Sequence, residues 1–260
     1  MNCVRGKCVI FLTSTKGYEL GQQPNPAVKS EKGAFENIDK VLLDNPSWIR
    51  RIYGVFFKKS DLDTLEKLKT YLERSAAYLT YKNVQEYSRS RAGVHWNMLL
   101  DDGEFQIALE KSQWITFAIS AELVGEMVLI VLRQKTQTDP QDLAGTLGVI
   151  LKQILEEHSR LSSGLSVEWI NSTNSILQKM RTGALVPPKL VSDIATAHVP
   201  KIFASLPVHK RIPGYDELLL LNGLHLNLLQ LQHEFTIKAN YKALAKAALA
   251  SQSRSPDPDL

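Results

Sequence analysis

The feature that most constrains what this chain can fold into is an apolar run over residues 94–133, followed by a well-marked helix start at 139. Val94 to Leu100 leads into Asp101-Asp102-Gly103, a turn sequence, and then into an alternating stretch. In that stretch Phe105, Ile107 and Leu109 alternate with Glu104, Gln106 and Glu110. Alternation of period two is expected of a strand with one wet face, and the glycine provides the positive φ that a short hairpin loop uses. Trp114–Ser120 and Met127–Leu132 read as two more strands. The second is apolar on both faces, as in a strand covered on each side.

At 260 residues, 44% of them hydrophobic and 22% charged, the chain has the composition of a globular protein and can bury a substantial core. The net charge of +4 is uneven: residues 1–93 carry +6, residues 94–182 carry −4 and the remainder +2. A basic amino-terminal third offers a surface to RNA or an anionic membrane, or is ordinary solvated surface. Cys3 and Cys8, the only cysteines, form neither a CxxC pair nor a zinc set and read as free thiols of a reducing compartment. The apolar stretch Cys8–Leu12 is too short for a signal-peptide core, and no run of 18 uninterrupted apolar residues occurs. A cytoplasmic location is the expectation.

Along the chain, Cys8–Thr13 and Trp48–Phe57 read as strands, 14–34 as a long loop, and Phe35–Leu43 as a short helix. Ser60-Asp61-Leu62-Asp63 opens a helix whose Leu65, Leu68, Leu72 and Leu79 share a face, with its end around Tyr87–Gly93. Asp139-Pro140 opens another, with Leu143, Leu147, Ile150, Leu151 and Ile154 buried and with Gly145 and Gly148 allowing close approach to a sheet. Val167–Met180 is a helix ended by Gly183, and Lys189–Ala197 is one interrupted by Pro200. Asp216–Phe235 carries the clearest stripe, Leu221, Leu224, Leu228, Leu231 and Phe235, which suits an internal core or a partner's groove. Residues 251–260, polar with two prolines, read as a tail.

Catalytic grammar is sparse. The six histidines, His95, His158, His198, His209, His225 and His233, include no HExxH pair, and there is no Walker A, GxSxG or kinase pattern. Glu156-Glu157-His158 offers an acid–base reading, but adjacent helical residues diverge by about 100° and a solvated helix end is the preferred reading. Trp48, Trp96, Trp114 and Trp169 do not interleave with Lys or Arg as a base-stacking platform would. No cofactor and no metal site is expected.

The element order, strand, strand, helix, antiparallel strands over 94–133, helix over 139–161, helix over 167–180, resembles the longin fold. The segment from Leu100-Asp101-Asp102-Gly103-Glu104-Phe105 through Gln113-Trp114-Ile115-Thr116-Phe117 into Met127–Leu132 and Leu143–Leu155 is similar in pattern to the strand–strand–helix part of that family. The resemblance covers at most residues 1–182 and carries over no functional residue. It implies vesicle trafficking or regulation of Rab-type GTPases, by subunits that present sheet edges and helices to partners without catalysis. The expected fold is α+β: a mainly antiparallel sheet with flanking helices at 1–162, a helical portion at 163–250 and a flexible tail at 251–260. The expected function is a non-enzymatic protein–protein interaction subunit, with Trp114, Phe117, Leu224, Leu228 and Leu231 as partner-binding residues. The alternatives are a basic structural protein of viral matrix or nucleocapsid type that binds RNA or anionic membrane through the amino-terminal third, and an enzyme with a motif-free site.

Overall fold

A computed structural model describes residues 61–159, 167–207 and 216–252, all within one compact unit spanning Asn45–Leu260. Of these residues 89% are helical and none lies in a strand. The α+β architecture with an antiparallel sheet is therefore corrected to an all-helical one, and the longin-like resemblance falls with it.

Helix α1 (Leu65–Thr80) starts at Thr64, whose hydroxyl accepts from the Lys67 amide at 3.3 Å. It runs through a π-helical turn, Tyr81–Glu86, into α2 (Tyr87–Ala92). In the π turn Tyr81, Asn83, Val84 and Gln85 are all buried, so the widened turn delivers extra side chains to the core. Gly93, at φ 54°, breaks the helix, because that backbone conformation suits a residue without Cβ. The short α3 (Trp96–Leu100) follows.

The residues read as a hairpin and its strands form α4, Gly103–Lys135, a single helix of 33 residues. Asp101-Asp102-Gly103 is its start: the Asp102 carboxylate accepts from the amides of Glu104 at 2.9 Å and Phe105 at 3.2 Å. The alternation at 105–110 covers less than two turns and gives way at Trp114–Leu132 to a segment in which all but Ile115, Glu122 and Glu126 are buried. A helix buried all round has no polar face, so its apolar run looks the same as a covered strand until length decides. By length and composition α4 is apolar enough to cross a membrane, yet 83% of its most apolar window is buried inside the protein. Here that composition serves a core helix.

Around α4 pack α1, α5 (Pro140–Ser159), α6 (Val167–Leu185), α7 (Val191–Ser205) and α8 (Glu217–Lys238). The small α9 (Tyr241–Gln252) lies mainly on α5. Asp139 starts α5 as expected, its carboxylate accepting from the Gln141 amide at 2.9 Å. The close approach read from Gly148 is to a helix instead of a sheet. A Cβ there would lie 2.6 Å from Leu177 Cδ1 and 3.0 Å from its Cα, so α5 and α6 meet nearly backbone to backbone. Two ends run further than expected: α6 passes through Gly183 to Leu185, and α7 passes through Pro200 to Ser205. The expected elements at 8–13, 14–34, 35–43 and 48–57, and the tail beyond 252, lie outside the described residues.

Three tyrosines of the α1–α2 segment hold α8 in place. The Tyr87 hydroxyl donates to the Asp216 carbonyl at 2.8 Å and accepts from the Asp216 amide at 2.7 Å. Tyr78 donates to Asn227 Oδ1 at 3.1 Å, and Tyr71 to the Leu231 carbonyl at 2.7 Å. At the far end Leu62 donates to the Lys238 carbonyl at 2.8 Å and accepts from Asn240 at 2.9 Å. Fixed at both ends and in the middle, α8 is a rigid rod on the bundle.

Candidate functional site

The structure places the five residues expected at a partner surface in the core. Trp114 meets Trp169 edge to face at 5.3 Å, and Phe117 stacks on Trp169 at 6.0 Å and meets His158 at 5.0 Å. All four side chains are buried where α4, α5 and α6 meet. Leu224 and Leu228 are fully buried and Leu231 nearly so, on the face of α8 that packs inward with Leu220 and Phe235. Trp114 and Phe117 are thus brought together, while the three leucines lie on α8, which packs on α7, α4 and the α1–α2 segment, with Tyr71 of α1 against Phe235 at 5.4 Å.

The opposite face of α8 has a different character. Leu218, Leu219, Leu226, Leu229 and Ile237 are 63%, 45%, 70%, 45% and 68% exposed. Positions 219, 222, 226, 229, 233 and 236, occupied by Leu, Asn, Leu, Leu, His and Thr, are all exposed and alternate in steps of three and four. That is the spacing of a coiled-coil seam, with Asn222 and His233 as its polar members. Because α8 also has its buried stripe, it is apolar on two faces, and a sequence reading that follows the inner stripe passes over the outer one. The signal was present in the three–four spacing from Leu219 to Thr236.

A second feature is a charged cleft of about 450 Å³ between α4, α6 and α7. Glu122 and Glu126 stand one turn apart on α4. Lys179 of α6 reaches Glu122 at 2.5 Å, and Lys189, just before α7, reaches Glu126 at 3.4 Å. His198 of α7 is buried with Nε2 3.9 Å from Glu122 Oε1, beyond hydrogen-bond length. Burial holds its pKa below the ordinary histidine value, against the opposing pull of Glu122. The Arg133 guanidinium donates to the carbonyls of two residues that line the cleft, Gly183 at 3.2 Å and Val186 at 3.0 Å. Each carboxylate here is matched by a lysine, so the two ion pairs tie α4 to α6 and to the start of α7. These residues are remote in sequence, and no local pattern announces them.

The Glu156-Glu157-His158 triplet separates in space as its helical spacing requires. Glu157 pairs with Lys69 at 2.6 Å at the surface, and His158 turns inward to Glu73 at 2.7 Å. Among the described residues no group of three or more His, Cys, Asp or Glu converges as a metal site. No protein-family model, curated protein or solved structure matches this chain.

Proposed function

We propose that this protein is a helical interaction module whose outer α8 face docks an amphipathic helix of a protein partner. The observation that carries the reading is the exposed seam Leu219–Asn222–Leu226–Leu229–His233, flanked by Leu218 and Ile237, on a helix already fixed by Tyr71, Tyr78 and Tyr87. Leu226 and Leu229 form an exposed apolar patch extended along the same face by Leu218, Leu219 and Ile237, and exposed apolar patches mark interaction sites where singly scattered apolar residues do not. A rigid rod also loses little entropy when it docks, which favours affinity. Helix-in-groove recognition reads such spacing as its anchor pattern.

Trafficking and GTPase regulation, which rested on the longin-like fold, fall with it. Binding of RNA or anionic membrane has less support among the described residues. Lys67, Lys69, Arg74 and Lys82 of the basic third are each engaged with an acidic side chain.

Site-specific photocrosslinking tests the proposal. The full chain carrying a photoreactive phenylalanine at position 226 is irradiated in its native cells beside a control labelled at Val94, which is 93% exposed but off the seam. Protein adducts at 226 that exceed those at 94 and map to a helical segment support the reading. Equal adducts at both positions, or none at 226, overturn it.

A further inference from the structure

We infer that the helix docked on α8 is α8 of a second copy of this chain, paired antiparallel about a two-fold axis midway between positions 227 and 228. This rests on the preceding reading of the outer α8 face and names its occupant. The seam is self-complementary under that operation. Leu226 falls opposite Leu229 of the second copy, Asn222 opposite His233, Leu219 opposite Thr236, and Leu218 opposite Ile237. Antiparallel coiled coils place each position of one heptad class against the other class across the axis, and the 219/226/233 and 222/229/236 sets meet in that way. A closed two-fold interface needs a patch that matches itself, and this one does.

The polar members fix the register. Asn222 has an amide that both donates and accepts, and an imidazole such as His233 offers one of each when neutral, so the two can satisfy each other inside an otherwise apolar seam. A slip by one heptad would set at least one of them against a leucine with its polar atoms unpaired, which is costly in a desolvated contact.

Charge chooses the direction. An in-register parallel pair would set Asp216 and Glu217 beside their own copies, and Lys238 beside its own. The antiparallel pair brings the acidic start of one α8 level with Lys238 of the other, which is also held by its own Glu234 at 2.6 Å, and opposes the two helix dipoles. The positions flanking the seam, Leu218, Gly223, His225, Gln230, Gln232 and Ile237, carry no carboxylate, lysine or arginine to repel a copy.

Size sets the strength. A helix of 22 residues is about 33 Å long and presents a strip about 10 Å wide, so α8 alone covers about 330 Å² per copy. Stable interfaces cover about 800 Å² per partner. The pair is therefore a reversible one, formed as concentration rises.

Sedimentation equilibrium on the full chain, from micromolar to millimolar, reads this directly. The expected result is a mass that rises from 29.2 kDa toward twice that value, with Leu226→Glu/Leu229→Glu remaining monomeric at every concentration while keeping the wild-type melting temperature. For direction, Leu226→Cys and Leu229→Cys are made in a Cys3→Ser/Cys8→Ser background and mixed under mild oxidation. The antiparallel pair gives the mixed 226–229 disulfide in preference to either self-disulfide, and preferred self-disulfides overturn it. A wild-type chain monomeric throughout, or a double glutamate variant that still dimerises, overturns the self-pairing. If self-pairing fails while position 226 still crosslinks a different protein, the docking reading stands without it; if both fail, both are wrong.

Discussion

His198 shows how much of a residue's role is set by what folds against it. In the sequence it is one of six scattered histidines; in the structure it is buried on α7, facing Glu122 of α4 and Lys179, Lys189 and Lys201. Burial lowers its folded-state pKa below 6.5, so the unfolded chain binds its proton more readily. The stability it contributes is fully present above that unfolded value and is lost as pH falls through it toward the folded pKa. Chemical denaturation midpoints measured from about pH 8 down to about pH 5 should therefore fall for the wild type. They should fall less steeply for His198→Gln, and identical slopes would contradict the assignment. Little of this was legible beforehand, because the groups around His198 come from positions 122 to 201. The buried pair Trp114 and Phe117 was legible as important apolar chemistry, but sequence alone gives no means of telling a core aromatic from a docking one.

At the scale of the element, α8 states the same problem twice over, since its two apolar faces differ only in which one the bundle covers. Leu228 is fully buried and Leu226, two residues away, is 70% exposed. Leu228→Asp places an unpaired charge in the core, at a cost of several kcal/mol against a total stability of about 5–15 kcal/mol. It should abolish the cooperative thermal transition. Leu226→Asp should leave the melt of the dilute protein within about 0.5 kcal/mol of wild type, as surface substitutions do. The reverse order would show that the faces have been exchanged, and equal melts that the two do not differ in burial. Helix starts were legible where the signal has one meaning: Asp139-Pro140 and Asp216 both begin helices where the sequence places them. Asp101-Asp102-Gly103 has two meanings, hairpin turn and helix start, and the alternation of Phe105, Ile107 and Leu109 favoured the first. Glu104, Gln106 and Glu110 are good helix formers, and they argued for the second.

At the scale of the whole molecule, the fold turns on α4. An apolar helix of 33 residues can be buried only if other helices surround it, and α1, α5, α6, α7 and α8 each turn an apolar stripe toward it. The stripes of α1 and α5 could be read from the sequence because each keeps a polar side, and α8 offered two stripes of which one was read. The centre could not, because uniform burial erases the 3.6-residue period that distinguishes helix from strand. The most direct test is native-state hydrogen exchange followed residue by residue. If α4 is the centre of the bundle, the amides from Trp114 to Leu132 form one protected block that exchanges only through global unfolding and more slowly than those of the peripheral α9. Protection in that segment no greater than in α9, or broken at the intervals of a strand meander, would contradict the account.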